Sequence, residues 1–586
     1  MAEKIVSPGV FTNELDQSFL PAAIGDIGAC IIGPTVKGPA MVPTVVTSFS
    51  EYEQIFGTTI KSGSNYYSFL TGLAAQNYLK NSGKLTVVRI MDGEFSGASA
   101  TINQTGGGTP VLTLNTLNSG ENQNSTGSIG TNNVIDSGSR DNLRWEVSSV
   151  NHKKGTFSLV VRRGDDSSKR KQVLETWNNV SLDPTANNYV EKMIGSQELQ
   201  FNSTDKIINY VGDYPQKSKY VRVSGVSQLV DYLDENGNVT STYHNSSSLF
   251  PAVGSGSYGG SFSGGTDGNA GPNQTSASFY GDITLTNKNQ IQGYDVSSLT
   301  NENGGTAYSD ALDMISNSDE YDINLLMIPG VTNDGGSAIV NKAIETCETR
   351  GDCFVIADPV GYGADQSSAI TQAESYDSNY AAMYWPWVQV QDNNLGRPVW
   401  VPPSTVLGGI YSFNDKVAHP WFAPAGLNRG GIDTAIQAER KLTHSNRDTM
   451  YESNLNPIAT FPGQGVTVFG QKTLQKKSSA LDRVNVRRLL IKVKKFIAAS
   501  SRFLVFEQNN PATRRRFLNI ANPYLEQVQS NSGLNAFRVV MDDTNNTPDV
   551  VDRNILYGQI FLQPTKTAEF IVLDFTIQPT GASFPE

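Results

Sequence analysis

The 586-residue chain is 38% hydrophobic and 17% charged, a balance that supports packed cores and excludes a compositionally disordered protein. At roughly 150 residues per domain it should divide into about four units, and its apolar runs, such as those within Ile323–Ile328 and Phe503–Phe506, fall far short of the roughly 18 residues of a membrane-spanning helix. The net charge of −11 is uneven: from Gln471 to Arg516 thirteen Lys or Arg stand against Asp482 and Glu507, a local +11 that leaves −22 elsewhere, so one surface is expected to meet an acidic partner, with a solvated helix face as the alternative.

The opening MAEKIVSPGVFTNELDQS has neither the basic nor the apolar region of a secretory signal, and cytosolic synthesis is expected. Cys30, Cys347 and Cys353 are the only cysteines; they read as small buried hydrophobes of a reducing compartment rather than as a bridge. Residues 1–20, with Pro8, Gly9 and no helical period, read as an extended arm that needs a host surface. From Ile24 the pattern becomes α/β: GACIIGP is a strand closed by Gly33 and Pro34, SFSEYEQIFG a short helix with a Ser cap, YYSFLTGLAAQNYLKN a helix and KLTVVRI a second strand.

Near residue 96 the texture turns to Gly, Ser, Asn and Thr. The strand-like pieces LRWEVSSV, TFSLVVRR and KYVRVSG, and a hairpin from LVDYLD through ENGN to VTSTY, make 96–300 a β-rich insertion. Alternation then resumes: ALDMIS (helix), INLLMIPG (strand), SAIVNKAIETCETR (helix), FVIADP (strand), SSAITQAESY (helix) and AAMYWPWVQV (strand). Buried strands separated by helices argue a parallel or mixed sheet that draws on both sides of the insertion. In VNVRRLLIKVKKFIAAS, Val486, Leu489, Leu490, Val493, Phe496 and Ile497 share an apolar face, leaving a basic one. AEFIVLDFTIQP alternates as a half-buried strand.

The fold class expected is therefore α/β plus β and multidomain: an arm (1–20), a discontinuous α/β core (21–95 and 301–405), inserted β-rich protruding domains (96–300) and an α+β C-terminal domain with a terminal strand (406–586). No catalytic constellation emerges. His152, His244, His419 and His444 lack metal-pair spacing, there is no phosphate loop or nucleophile elbow, and MDDTNNTPD at 541–549 reads as a turn. No catalytic residue, metal or cofactor is expected.

Several blocks resemble one family. SPGVFTNELDQS (7–18), GACIIGPTVKGP, VTSFSEYEQIFG and YLKNSGKLTVVRI follow one another in the order found in tail-sheath proteins of contractile-tailed bacteriophages. GTFSLVVRR and ETWNNVSLDPTANNYVEKMIGS resemble that family's β-module, and VPPSTVLGGIYSFNDKVAHPWFAPAGLNRGGI, VTVFGQKTL, NVRRLLIKVKKFI and LVFEQNNPATRRRFLNI its C-terminal region. The chain departs from the family at His419 and Pro420, where a cationic residue and Gly often precede the tryptophan, and in the loops at 100–140 and 245–300.

The resemblance implies a structural protein, not an enzyme, that polymerises as stacked hexameric rings or a six-start helix around a tail tube and contracts to drive the tube through the host envelope. Its implied partners are further copies of itself, the tube protein, and baseplate and terminator proteins, with no nucleic acid and no membrane insertion. The implied location is the virion tail, after assembly in host cytoplasm. It implies that an arm at Ser7, Pro8, Gly9, Val10, Phe11 and Glu14, and a C-terminal strand at Phe570, Ile571, Val572, Leu573, Phe575 and Ile577, pass between neighbouring copies, both suited to adding strands to a neighbour's sheet. Arg487, Arg488, Lys492, Lys494 and Lys495 are the candidates to face the tube. A bacteriocin or secretion-machine sheath, an α/β enzyme with β accessory domains and a nucleic-acid-binding protein stay open as alternatives.

Overall fold

A computed structural model describes residues 28–62, 65–125, 127–229, 238, 250–270 and 288–571. The arm candidates Ser7, Pro8, Gly9, Val10, Phe11 and Glu14, most of the hairpin expected after Gln228, and Val572, Leu573, Phe575 and Ile577 lie outside the described residues. The chain forms two compact units, one of residues 28–492 with the segment from Pro564 onward, the other of residues 493–563.

The larger unit is built on an eight-stranded sheet. Its strands are β1 (Gly28–Gly33), β2 (Thr44–Val46), β3 (Leu85–Arg89), β4 (Ile323–Thr332), β5 (Phe354–Asp358), β6 (Ala381–Trp385), β7 (Leu455–Phe461) and β8 (Gly465–Val468), in the order β2-β3-β1-β4-β5-β6-β7-β8. Neighbours from β3 to β7 run parallel, and the edge strands β2 and β8 are antiparallel. Every residue of β1, β3, β5 and β6 is buried, as a parallel sheet covered on both faces requires. β1 pairs with β3 on one side and with β4, some 290 residues further on, on the other, and β7 and β8 carry the same sheet well past residue 405.

Helices α1 (Phe49–Phe56) and α2 (Leu70–Leu79) join β1 to β3, while α3 (Gly305–Ile315), α4 (Asn333–Arg350), α5 (Gln366–Glu374) and α6 (Pro403–Val417) belong to the second half. Ser48 caps α1 by accepting the Glu51 N–H at 3.2 Å, and Gly57, at φ 73°, closes it. α2 and α6 pack on each other and against β4. That approach is close enough that a Cβ on Gly408 would sit 2.5 Å from Met327 Sδ. The expected strand AAMYWPWVQV is instead two: Pro386 follows a cis peptide and has no N–H to continue a ladder, and Val388–Asp392 pairs with Arg397–Val401 and Ala435–Ala438 in a sheet of its own.

The inserted residues build further sheets, including Gly97–Asn103, Pro110–Ser119 and Val221–Val226 in one and Leu143–Asn151, Thr156–Arg163 and Val173–Ser181 in another. They share a second hydrophobic core that includes Trp145, Phe157, Leu159, Phe250 and Phe262. Asp166, fully buried, is gripped there by Arg144 (2.9 Å) and Arg162 (2.6 Å), and Arg162 also reaches Glu146 at 2.6 Å. At the root of the insertion, Asp92 bridges to Gly268 and Ala270 and accepts the Gly304 N–H at 2.8 Å, so the departing and returning chains meet at one residue.

The smaller unit packs helix α8 (Pro511–Ser530), which follows α7 (Val484–Ser501), beside a two-stranded sheet of Leu534–Val540 and Gln559–Pro564. Phe517, Ala521 and Met541 are its buried centre.

The buried carboxylate at the end of β5 makes stability pH-dependent. Helix α6 starts after Pro402, which offers no side-chain cap; Asp358 supplies the acceptor, taking the Ser404 N–H at 2.9 Å and its hydroxyl at 2.5 Å. Burial, only partly offset by these bonds, pushes the Asp358 carboxyl up to about 7. In the unfolded chain it loses its proton near pH 4, so between pH 4 and 7 the folded state holds the extra proton, and stability falls as pH rises through that window. Asp358→Asn should remove a loss of roughly 2–3 kcal/mol between pH 5 and 8. Thermal melts of both proteins at the two pH values would show this, and parallel pH dependence would refute it.

Candidate inter-subunit surfaces

Of the segments expected to take part in assembly, the basic helix α7 and the start of the C-terminal segment lie among the described residues. In α7 the expected apolar face buries Val486, Leu489 and Val493 and half-buries Leu490, Phe496 and Ile497, while Val484 and Ile491 are buried on the opposite side of the helix.

Two of the five cations expected on an exposed basic face are not on one. Arg487 is 3% exposed and stacks on Tyr380 with its guanidinium 3.4 Å from the ring centre; burial pushes it down to about 10, with Glu348 opposing. Its Nε makes no hydrogen bond among the described residues. Arg488 is 5% exposed and forks onto Asp415 of α6 at 2.8 and 2.5 Å, above the Tyr411 ring at 4.8 Å. Burial alone would lower it, but Asp415 outweighs that and raises it. The reason is tertiary: Tyr380 and Asp415 come from distant sequence, and a helical period cannot reveal them. Lys494 is exposed, and Lys492 and Lys495 are half-buried.

Lys492 Nζ lies 5.5 Å from the Trp421 ring, on which His419 stacks with ring centres 4.4 Å apart. Burial and then the Lys492 charge hold the His419 imidazole below its usual range. Asn485 donates to the Trp421 carbonyl at 3.2 Å, so the unusual His-Pro-Trp segment is fixed to α7.

Phe570 and Ile571 are 78% and 80% exposed and lie in no strand. Just before them Glu569 accepts hydrogen bonds from Arg483, Tyr451 and Gln471. In the two-stranded sheet each strand has a single partner among the described residues, which leaves two outer edges. A turn that sequence reasoning passed over, Phe503–Phe506, exposes Phe503, Val505 and Phe506 at 72%, 61% and 100%, with Phe506 at φ 69°. The signal was available as an apolar run between two helices.

A cleft of 1930 Å³ in the larger unit is lined by Asp92, Glu94, Glu121, Asp267 and Glu302 among others. Two of these serve the backbone: Asp92 accepts from Gly93 and Gly304, and Asp267 from Glu121. Among the described residues no three of His, Cys, Asp and Glu gather as a metal site, and no helix is long and apolar enough to cross a membrane. Cys347 and Cys353 are free and buried, with sulfurs 2.8 Å apart.

Residues 301–474 match the phage tail sheath protein central domain, and residues 476–578 the phage tail sheath C-terminal domain. The tail sheath proteins of Vibrio phage KVP40 and Enterobacteria phage T4 are each 31% identical over 47% of this chain and 45% of their own length. The chain thus spans about half the length of the curated relatives it matches. A sheath tail protein from Listeria innocua shares the fold, with a TM-score of 0.52 over 89% of this chain and 90% of that one at 11% identity. The resemblance read from the sequence is thus to the same family that these comparisons find.

Because Arg488 is structural and Lys494 is not buried, the two should respond differently. Arg488→Ala leaves Asp415 without its fork and should destabilise the unassembled protein by about 3 kcal/mol, whereas Lys494→Ala should stay within about 0.5 kcal/mol of the parent. Chemical denaturation before assembly would check both.

Proposed function

We propose that this chain, whose residues 301–578 carry the two tail-sheath domains, is the repeating unit of a contractile phage tail sheath that polymerises around a tail tube and shortens to drive it through the host envelope. The observation that carries this reading is the succession of both domains in family order. The sheet of the smaller unit, whose outer edges pair with nothing among the described residues, supports it, because an unpaired edge accepts a strand from another chain.

In this reading residues 1–20 and the terminal segment containing Val572, Leu573, Phe575 and Ile577 add strands to neighbours' sheets, as stacked hexameric rings or a six-start helix. Several backbone hydrogen bonds of about 1 kcal/mol each per strand keep the lattice joined while the globular bodies move. Contraction is a passage from a trapped packing to one of lower free energy, so the sheath itself needs no nucleotide. Lys492, Lys494 and Lys495 face an acidic tube surface, while Arg487 and Arg488 hold the helix that presents them. The inserted β-rich modules point away from the tube, where added mass disturbs the lattice least. Baseplate and terminator proteins bound the polymer, which assembles in host cytoplasm and belongs to the virion tail.

Negative-stain electron microscopy of the protein mixed with its tube protein should show hollow tubes with a helical surface lattice. Deleting residues 1–20 should leave a folded protein that forms none, and Lys494→Glu with Lys495→Glu should weaken assembly on the tube in the way added salt does. Compact particles from the parent protein under every condition would overturn the reading.

A further inference from the structure

Residues 493–563 fold as a unit of their own, yet both ends of that stretch return to the larger unit. The outgoing chain passes Arg483 just before α7, and the incoming chain passes Glu569. These two residues meet in a fork, Arg483 Nε to Oε1 at 2.7 Å and Nη2 to Oε2 at 2.9 Å. Tyr451 donates its hydroxyl to Oε2 at 2.9 Å, and Gln471 Nε2 donates to Oε1 at 3.0 Å and to Thr567 Oγ1 at 2.8 Å. One carboxylate therefore receives four hydrogen bonds from three side chains, each on a different segment.

The receiving side is built independently of the glutamate. Gln471 is 3% exposed, and its carbonyl takes the Val484 N–H at 2.9 Å. Lys472 donates to the Tyr451 carbonyl at 2.6 Å and lies over the same tyrosine's ring at 4.7 Å. By contrast, residues 565–571 have no regular secondary structure, and Phe570 and Ile571 are exposed. The glutamate is thus the charged anchor of this segment, beside the Thr567 hydroxyl that Gln471 also holds, and charge-assisted, bidentate bonds are the strong kind.

We propose that Tyr451, Gln471 and Arg483 form a carboxylate-binding site whose ligand is Glu569 of the same chain, a clasp that ties together the two backbone crossings on which residues 493–563 are carried. With the clasp closed, the terminal residues beyond Ile571 depart from a fixed point on their own chain. The clasp itself does not rest on the sheath reading. Its use in directing a donated terminal strand does.

Lys566 is exposed and lies three residues from the anchor, so trypsin reports on the clasp directly. Nicking after Lys566 in the dispersed full-length protein, without tube protein, would be followed by mass spectrometry, with nicking after the exposed Arg553 as an internal control. Glu569→Ala and Arg483→Ala should each accelerate cleavage at Lys566 about tenfold or more, by raising the population of the released segment, while the Arg553 rate stays unchanged. Unchanged cleavage at Lys566 in Glu569→Ala would overturn the proposal. So would protection that appears only at concentrations where the protein is oligomeric, because the carboxylate would then come from another copy. Failure to form tubes would bear on the sheath reading and leave this measurement intact.

Discussion

The parallel pairing of β1 with both β3 and β4 is the constraint on which the rest of the architecture depends. A strand buried on both faces must satisfy its backbone groups through two neighbours, and here one neighbour lies some 290 residues further along the chain. Closing so long a loop adds only slowly to the entropic cost, since that cost grows with the logarithm of length. The intervening chain must then bury its own apolar residues: the β-rich stretch around Trp145, Phe157 and Phe262 does so in a core of its own, while Ile291, Tyr294 and Val296 return to the core of the main sheet.

The strands of the main sheet were legible because their burial is continuous: GACIIG, LTVVR and FVIAD are apolar enough to be recognised without partners. Helices α1 and α4 were legible from a cap and a period. What sequence could not show were effects of distant neighbours. Pro386 turns one apolar run into strands of two different sheets. Tyr380 and Asp415 draw two arginines out of a basic face. Glu569 looked like an ordinary polar residue in an alternating run, and its meaning depends on three donors that converge from up to 118 positions away.

The same effect changes how the basic stretch is understood. Composition concentrates positive charge between Gln471 and Arg516, but several of those charges are already neutralised or covered: Arg483 by Glu569, Arg488 by Asp415, Arg514 by Asp543, and Arg487 by an aromatic ring. Part of the local +11 is therefore spent within the fold. Formal charge counted along a chain therefore overstates the field that a partner feels, because buried pairs contribute little at a distance.

The meeting of departing and returning chains at Asp92 has a consequence for how such proteins diversify. Because both ends of the insertion are held at one residue just past β3, the β-rich stretch between them can lengthen or shrink without altering the register of β1, β3 or β4, so long as Ile291, Tyr294 and Val296 keep their places in the main core. Proteins that share this core are therefore free to differ in the size of the insertion, and a foreign domain whose own termini lie close together could stand in for the modules that pack around Trp145, Phe157 and Phe262.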